Sequence, residues 1–169
     1  MSGFPAIVAI VILLSLSPSP AQALPRVVGY YGSWSIYDLD YHVAEIPAAA
    51  LTHVNYAFAD ISAAGECVLA DPWADVQKPY PGDGGGPLRG NLRQLQILKA
   101  AHPHLRTLIS IGGWTLSGRF SDVAATTTAR AHFASSCVQF MRAYGFAGID
   151  VDWEFPVSGG LPTNTTRPE

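Results

Sequence analysis

Asp150, Asp152 and Glu154 stand at alternate positions in the stretch Gly148-Ile149-Asp150-Val151-Asp152-Trp153-Glu154, with apolar residues between them. An extended strand turns successive side chains to opposite faces, so such spacing predicts three carboxylates on one side, about 7 Å apart along the strand. Crowded like charges raise at least one pKa and leave a carboxyl protonated near neutral pH. A protonated carboxyl beside ionised ones is the equipment of general acid catalysis. Other readings of the acids are a hard cation held through oxygen ligands and a merely solvated face. No glycine-containing ligand loop accompanies them, which weakens the first. Ile149 and Trp153 argue for a packed strand, against the second.

The rest of the chain must position those acids. Alternating strand and helix signals begin after Leu24. Arg26–Tyr31 and His53–Phe58 read as the first two strands. Residues 60–90 hold Pro72, Pro79, Pro81, Pro87 and Gly84-Gly85-Gly86, and read as a long loop. Asn91 is placed to cap a helix that carries Leu92, Leu95 and Leu98 on one side. Leu105–Ile111 is a nearly continuous apolar run, the pattern of a buried parallel strand. Phe133, Cys137, Phe140 and Tyr144 recur at helical spacing in a helix expected over residues 127–144, with Gly145 as its stop. Phe146–Glu154 is then the fourth strand, with Glu154 closing it. Alternation of this kind predicts parallel βαβ units, which collect their chemistry at the C-terminal ends of the strands. The fold class expected is α/β, a (β/α)8 TIM barrel. It is expected to be incomplete, about the first four βα units, because the whole barrel takes about 250 residues.

The chain has 169 residues, a formal net charge of −3 and 14% charged residues. No basic stripe points to nucleic acid as a partner. Residues 1–23 read as a secretory signal peptide: an apolar run from Ala6 to Leu14, a break at Ser15–Pro20, and the small-x-small site Ala21-Gln22-Ala23. No Lys or Arg precedes the apolar run, so an uncleaved anchor is the alternative reading; after cleavage no membrane association is expected. Cys67 and Cys137 form no disulfide framework, and whether they pair is open. His53, His102, His104 and His132 lack ligand spacing, and neither metal nor cofactor is expected. Asn164-Thr165-Thr166 matches a glycosylation sequon, a weak signal.

The segment Gly145-Phe146-Ala147-Gly148-Ile149-Asp150-Val151-Asp152-Trp153-Glu154-Phe155-Pro156 resembles the signature of family 18 glycoside hydrolases, the chitinases and their relatives. Ser110-Ile111-Gly112-Gly113, followed by Trp114, is similar to that family's third-strand motif. Val28-Gly29-Tyr30-Tyr31 and Asn55-Tyr56-Ala57-Phe58 look like its first two strands, in family order. One position departs: the first Asp of the signature is Ala147 here. Seven residues before Glu154 it lies about 23 Å down an extended strand and on the other face, too far to touch a sugar at the strand's end.

The resemblance implies domain boundaries: residues 24–169 as the N-terminal part of a family 18 catalytic domain. It implies a secreted, endo-acting chitinase that hydrolyses β-1,4 links between N-acetylglucosamine units, a monomer when full length. Its mechanism would be the substrate-assisted exception to the two-carboxylate scheme. Glu154 would be the general acid, Asp152 would orient the substrate's acetamido group, and Asp150 would share a proton with Asp152. Tyr30 and Ser110 match positions that hydrogen-bond around the inner Asp. Phe58, Gly113 and Trp114 would line the cleft for chitin or chito-oligosaccharides, with Tyr31 assisting. Competing readings are an endo-β-N-acetylglucosaminidase acting on glycan cores and a non-catalytic chitin-binding relative. The presence of Glu154 favours catalysis, and Trp114 favours the linear polymer.

Overall fold

The computed structural model describes residues 25–167; the leader read over residues 1–23 lies outside the described residues. The elements in order are β1 (Val28–Gly32), β2 (His53–Ile61), β3 (Cys67–Leu69), α1 (Gly90–Ala101), β4 (Arg106–Gly112), α2 (Phe120–Ala124), α3 (Thr127–Tyr144) and β5 (Gly148–Asp152). β1, β2, β4 and β5 lie side by side in that order, all parallel. β3 pairs antiparallel on the far end of β2. Among the described residues no helix is long and apolar enough to cross a membrane.

Register decides which side chains meet. Gly32, Ala57, Ser110 and Asp150 form one row across the sheet, and Tyr30, Asn55, Leu108 and Gly148 form the row beneath it. Aligned residues of parallel strands share a face, so these rows define the side that carries the acids. The opposite face carries Val54, Tyr56 and Ile109, each 1% exposed, under the helices. Leu92, Leu95 and Leu98 of α1 are buried there, as are Cys137 and Phe140 of α3. α3 begins at Thr126, whose side chain accepts from Ala129 N, and ends at Gly145 in the left-handed conformation, φ 75°.

Three local expectations need correction. The segment over residues 60–90 is not one irregular loop: it contains β3 and a wide helical turn at Trp73–Gln77 that buries Ala74 and Asp75. A buried carboxylate needs a donor, and Asp75 Oδ1 accepts from Tyr56 Oη at 2.5 Å. Asn91 does not cap α1, which starts one residue earlier without a side-chain cap. Fully buried, Asn91 donates instead to Ser33 O and Tyr56 Oη and accepts from Tyr80 Oη. β5, finally, stops at Asp152, so Glu154 lies two residues past the strand and does not close it.

Candidate active site

β4 and β5 bring the acids to the C-terminal end of the sheet. Asp150 Oδ2 accepts hydrogen bonds from Tyr30 Oη at 2.9 Å and Ser110 Oγ at 2.7 Å. Two hydroxyl donors on one oxygen fix the Asp150 rotamer. Tyr30 reaches it from the row below, which a tyrosine can span and a shorter side chain cannot. Asp152 is half-buried on the same strand face. Burial, and secondarily the Asp150 charge, raise its carboxyl above the usual aspartate value. Burial likewise raises the Tyr30 hydroxyl above its ordinary value, helped by Asp150. Acid crowding thus raises a pKa at Asp152, although burial is the larger cause. Among the described residues no group of three or more His, Cys, Asp or Glu side chains is arranged to hold a metal ion.

Beyond the strand, other contacts hold Glu154. Its backbone N–H donates to Ser117 Oγ at 2.9 Å, and its carbonyl accepts from Asn164 Nδ2 at 3.0 Å. Ser117 is 1% exposed and directs its own proton at Gly113 O, 2.8 Å, and Asp152 O, 3.1 Å. One hydroxyl thus joins the ends of β4 and β5 to the backbone of Glu154. Neither Ser117 nor this use of Asn164 was legible in the sequence, because both act through backbone groups brought together by folding. The sequon residue Asn164 spends its amide inside the chain.

Gly112 and Gly113 both have positive φ, 105° and 77°. A Cβ on Gly112 would collide with Asp152 O, and one on Gly113 would sit 2.5 Å from the Phe58 ring. Two glycines let β4 turn away while Gly113 N donates to Asp152 O at 2.8 Å. Gly113 thus lies beneath Phe58 in this structure. Phe58 is half-buried and stacks on Trp34, ring centroids 5.8 Å apart and planes 23° apart. Trp34 and Trp114 are 53% and 51% exposed. Trp34, which follows β1 directly, escaped the sequence reading; its place just beyond a strand's C-terminal end was the available signal. Tyr31 points the other way. It is 2% exposed, stacks on Tyr56 and donates to Tyr41 O, so its expected part in lining the cleft is corrected to a core role. Ala147 is exposed just ahead of β5, its N–H paired with Thr107 O.

Comparison with known proteins sets this geometry in context. Residues 26–166 match the model of glycosyl hydrolases family 18. The chain is 44% identical to chitinase A1 of Niallia circulans, over 92% of this chain and 27% of that protein. It is 42% identical to endochitinase 1 of Metarhizium anisopliae, over 86% of this chain and 38% of that protein. Among solved structures it is similar to chitinase ChiA74 from Bacillus thuringiensis, with a TM-score of 0.80 and 41% identity over 84% of this chain and 29% of that one. The chain thus spans well under half the length of the relatives it matches.

Proposed function

The chain belongs to glycosyl hydrolases family 18, and on that premise we propose that it is the N-terminal part of the catalytic domain of a secreted, endo-acting chitinase. Residues 24–169 then supply the first four parallel strands of a (β/α)8 barrel, residues 1–23 being a signal peptide. Support for the barrel comes from the parallel order β1-β2-β4-β5 and from the open edge of β5, where Val151 is 59% exposed. A further strand beside β5 would cover it. The 169-residue chain expressed alone is accordingly expected to aggregate and to lack turnover.

The observation that carries the catalytic reading is the unequal environment of the acids. Asp150 is held by two hydroxyl donors, Asp152 is pushed toward its protonated form, and Glu154 is tied by its backbone at the mouth of the sheet. In the proposed retaining reaction Glu154 gives its proton to the glycosidic oxygen as the bond to the anomeric carbon breaks. The substrate's own N-acetyl carbonyl oxygen attacks that carbon, forming an oxazolinium ion, and the nucleophile need not come from the enzyme. Asp152 orients the acetamido N–H and stabilises its developing charge, with Asp150 supporting Asp152. Water, deprotonated by Glu154, then opens the ring with net retention. Phe58 and Trp114 offer ring surface to sugars, and no cofactor takes part.

Glu154→Gln in the full-length protein tests this. Hydrolysis of chito-oligosaccharides is expected to fall by about 10²–10⁴-fold, the usual contribution of general acid catalysis, with chitin binding retained. Substantial residual turnover would overturn the assignment. Comparing fluorophore release from chito-oligosaccharides with trimming of an N-glycoprotein separates the chitinase from an endo-β-N-acetylglucosaminidase, and Trp114 on the open face favours the former.

A further inference from the structure

Cys67 opens β3 and Cys137 lies on the inner face of α3, 8% and 3% exposed. Both thiols are free in this structure and belong to one buried apolar cluster. β3 is three residues long and pairs with β2 along one side. On its other side α3 packs against it, and Ser136 Oγ accepts from Cys67 N at 2.6 Å. That bond pins the Cys67 backbone one residue away from Cys137. Interaction with the neighbouring Cys137 thiol, and then burial, push the Cys67 thiol up, while the same interaction draws the Cys137 thiol down. Disulfides need Cα atoms within about 7 Å and converging side chains; two thiols buried in one cluster, with the Cys67 backbone bonded to the residue before Cys137, are placed to converge across the packed elements.

We propose that Cys67 and Cys137 are an oxidisable pair whose disulfide staples the β2–β3 hairpin to α3. The oxidant is a small-molecule disulfide such as oxidised glutathione. It approaches through a cavity of about 300 Å³ lined by Cys67, Ser136, Phe140 and Tyr144. Cys67, the thiol of the pair that lines this cavity, displaces one glutathione from the oxidant and passes its proton to the departing sulfur, giving a mixed disulfide and one glutathione thiol. The Cys137 thiolate then attacks the Cys67 sulfur and expels the second glutathione. One S–S bond forms and one breaks, and the two electrons and two protons of the protein thiols leave on two glutathione molecules. The bridge would close residues 67–137, a long loop of the kind in which a cross-link restricts the unfolded chain most.

The test equilibrates the folded full-length protein with excess oxidised glutathione, quenches it in acid, unfolds it and alkylates it with N-ethylmaleimide. Trypsin leaves Cys67 in Val27–Arg89, because Pro79 protects Lys78, and Cys137 in Ala131–Arg142. The expected product is one linked species, two hydrogens lighter than the sum of the two peptides. Maleimide on both peptides, or glutathione stalled on either without a link, would overturn the proposal. In parallel, dithiothreitol is expected to lower the melting temperature of the oxidised protein by about 5–10 °C and to leave the Cys67→Ala/Cys137→Ala double variant unchanged. Equal melting temperatures for oxidised and reduced protein would equally refute it.

Discussion

Replacing Ser117 with alanine removes a single buried oxygen and isolates one backbone group. The two carbonyls that share the Ser117 proton keep other partners: Asp152 O still accepts from Gly113 N at 2.8 Å, and Gly113 O from Leu116 N at 3.3 Å. Glu154 N–H, in contrast, loses the acceptor it has at 2.9 Å. Leaving a buried donor unpaired costs about 1–3 kcal/mol. The segment relieves that cost by moving Glu154 until its N–H finds water. Displacing a catalytic group by about 1 Å costs roughly 10²-fold in rate, and 1–3 kcal/mol corresponds to about 5- to 150-fold. The expected outcome is a fall in kcat within that range and little change in KM, because the Trp114 and Phe58 rings proposed to hold the sugar are untouched. The assay is steady-state release of a fluorophore from a chito-oligosaccharide by the full-length protein, with a thermal melt alongside. In a Glu154→Gln background the Ser117 change should add nothing further, since the group it positions is already disabled. A lowered melting temperature with kcat intact would refute the positioning argument and leave Ser117 as a structural tie alone.

Further outcomes follow from the fold. Burial pushes the Asp75 carboxyl up to about 6 from 3.8, so the folded state favours the neutral form. That contribution is fully present below pH 3.8 and is lost as pH rises through 6, roughly 3 kcal/mol in all. Urea unfolding between pH 4 and 7 should show that decline, and Asp75→Asn should flatten it; a slope unchanged in the variant would count against Asp75 as its source. Gly113→Ala places a Cβ 2.5 Å from the Phe58 ring at a φ of 77°, combining left-handed strain with overpacking for about 2–4 kcal/mol. It should lower the urea midpoint and shift Trp34 fluorescence as the stack opens, whereas wild-type stability would show that the ring yields freely.

What the amino-acid order determined by itself was local and periodic. Alternating acids marked Asp150 and Asp152 for one strand face, and helical spacing placed α3 at Thr127–Tyr144, because side-chain direction follows from backbone period alone. The motif residues Tyr30, Ser110 and Gly113 were legible as types in a familiar order. Apart from the Tyr30 and Ser110 bonds to Asp150, which the family resemblance implied, contacts across distant segments were not. Nothing near Asn91 in the chain tells that its amide bonds Ser33 O and Tyr56 Oη rather than capping its own helix. Nothing near Asp75 announces the Tyr56 hydroxyl. Tyr30 and Tyr31 are chemically identical neighbours, and the face buried under the helices sent one to Asp150 and the other into the core. Glu154 lies past its strand because Ser117 and Asn164, far along the chain, take up its backbone there. Such pairings cost no local conformational preference, so they leave no periodic trace, and the packing of one sheet against its helices decides them.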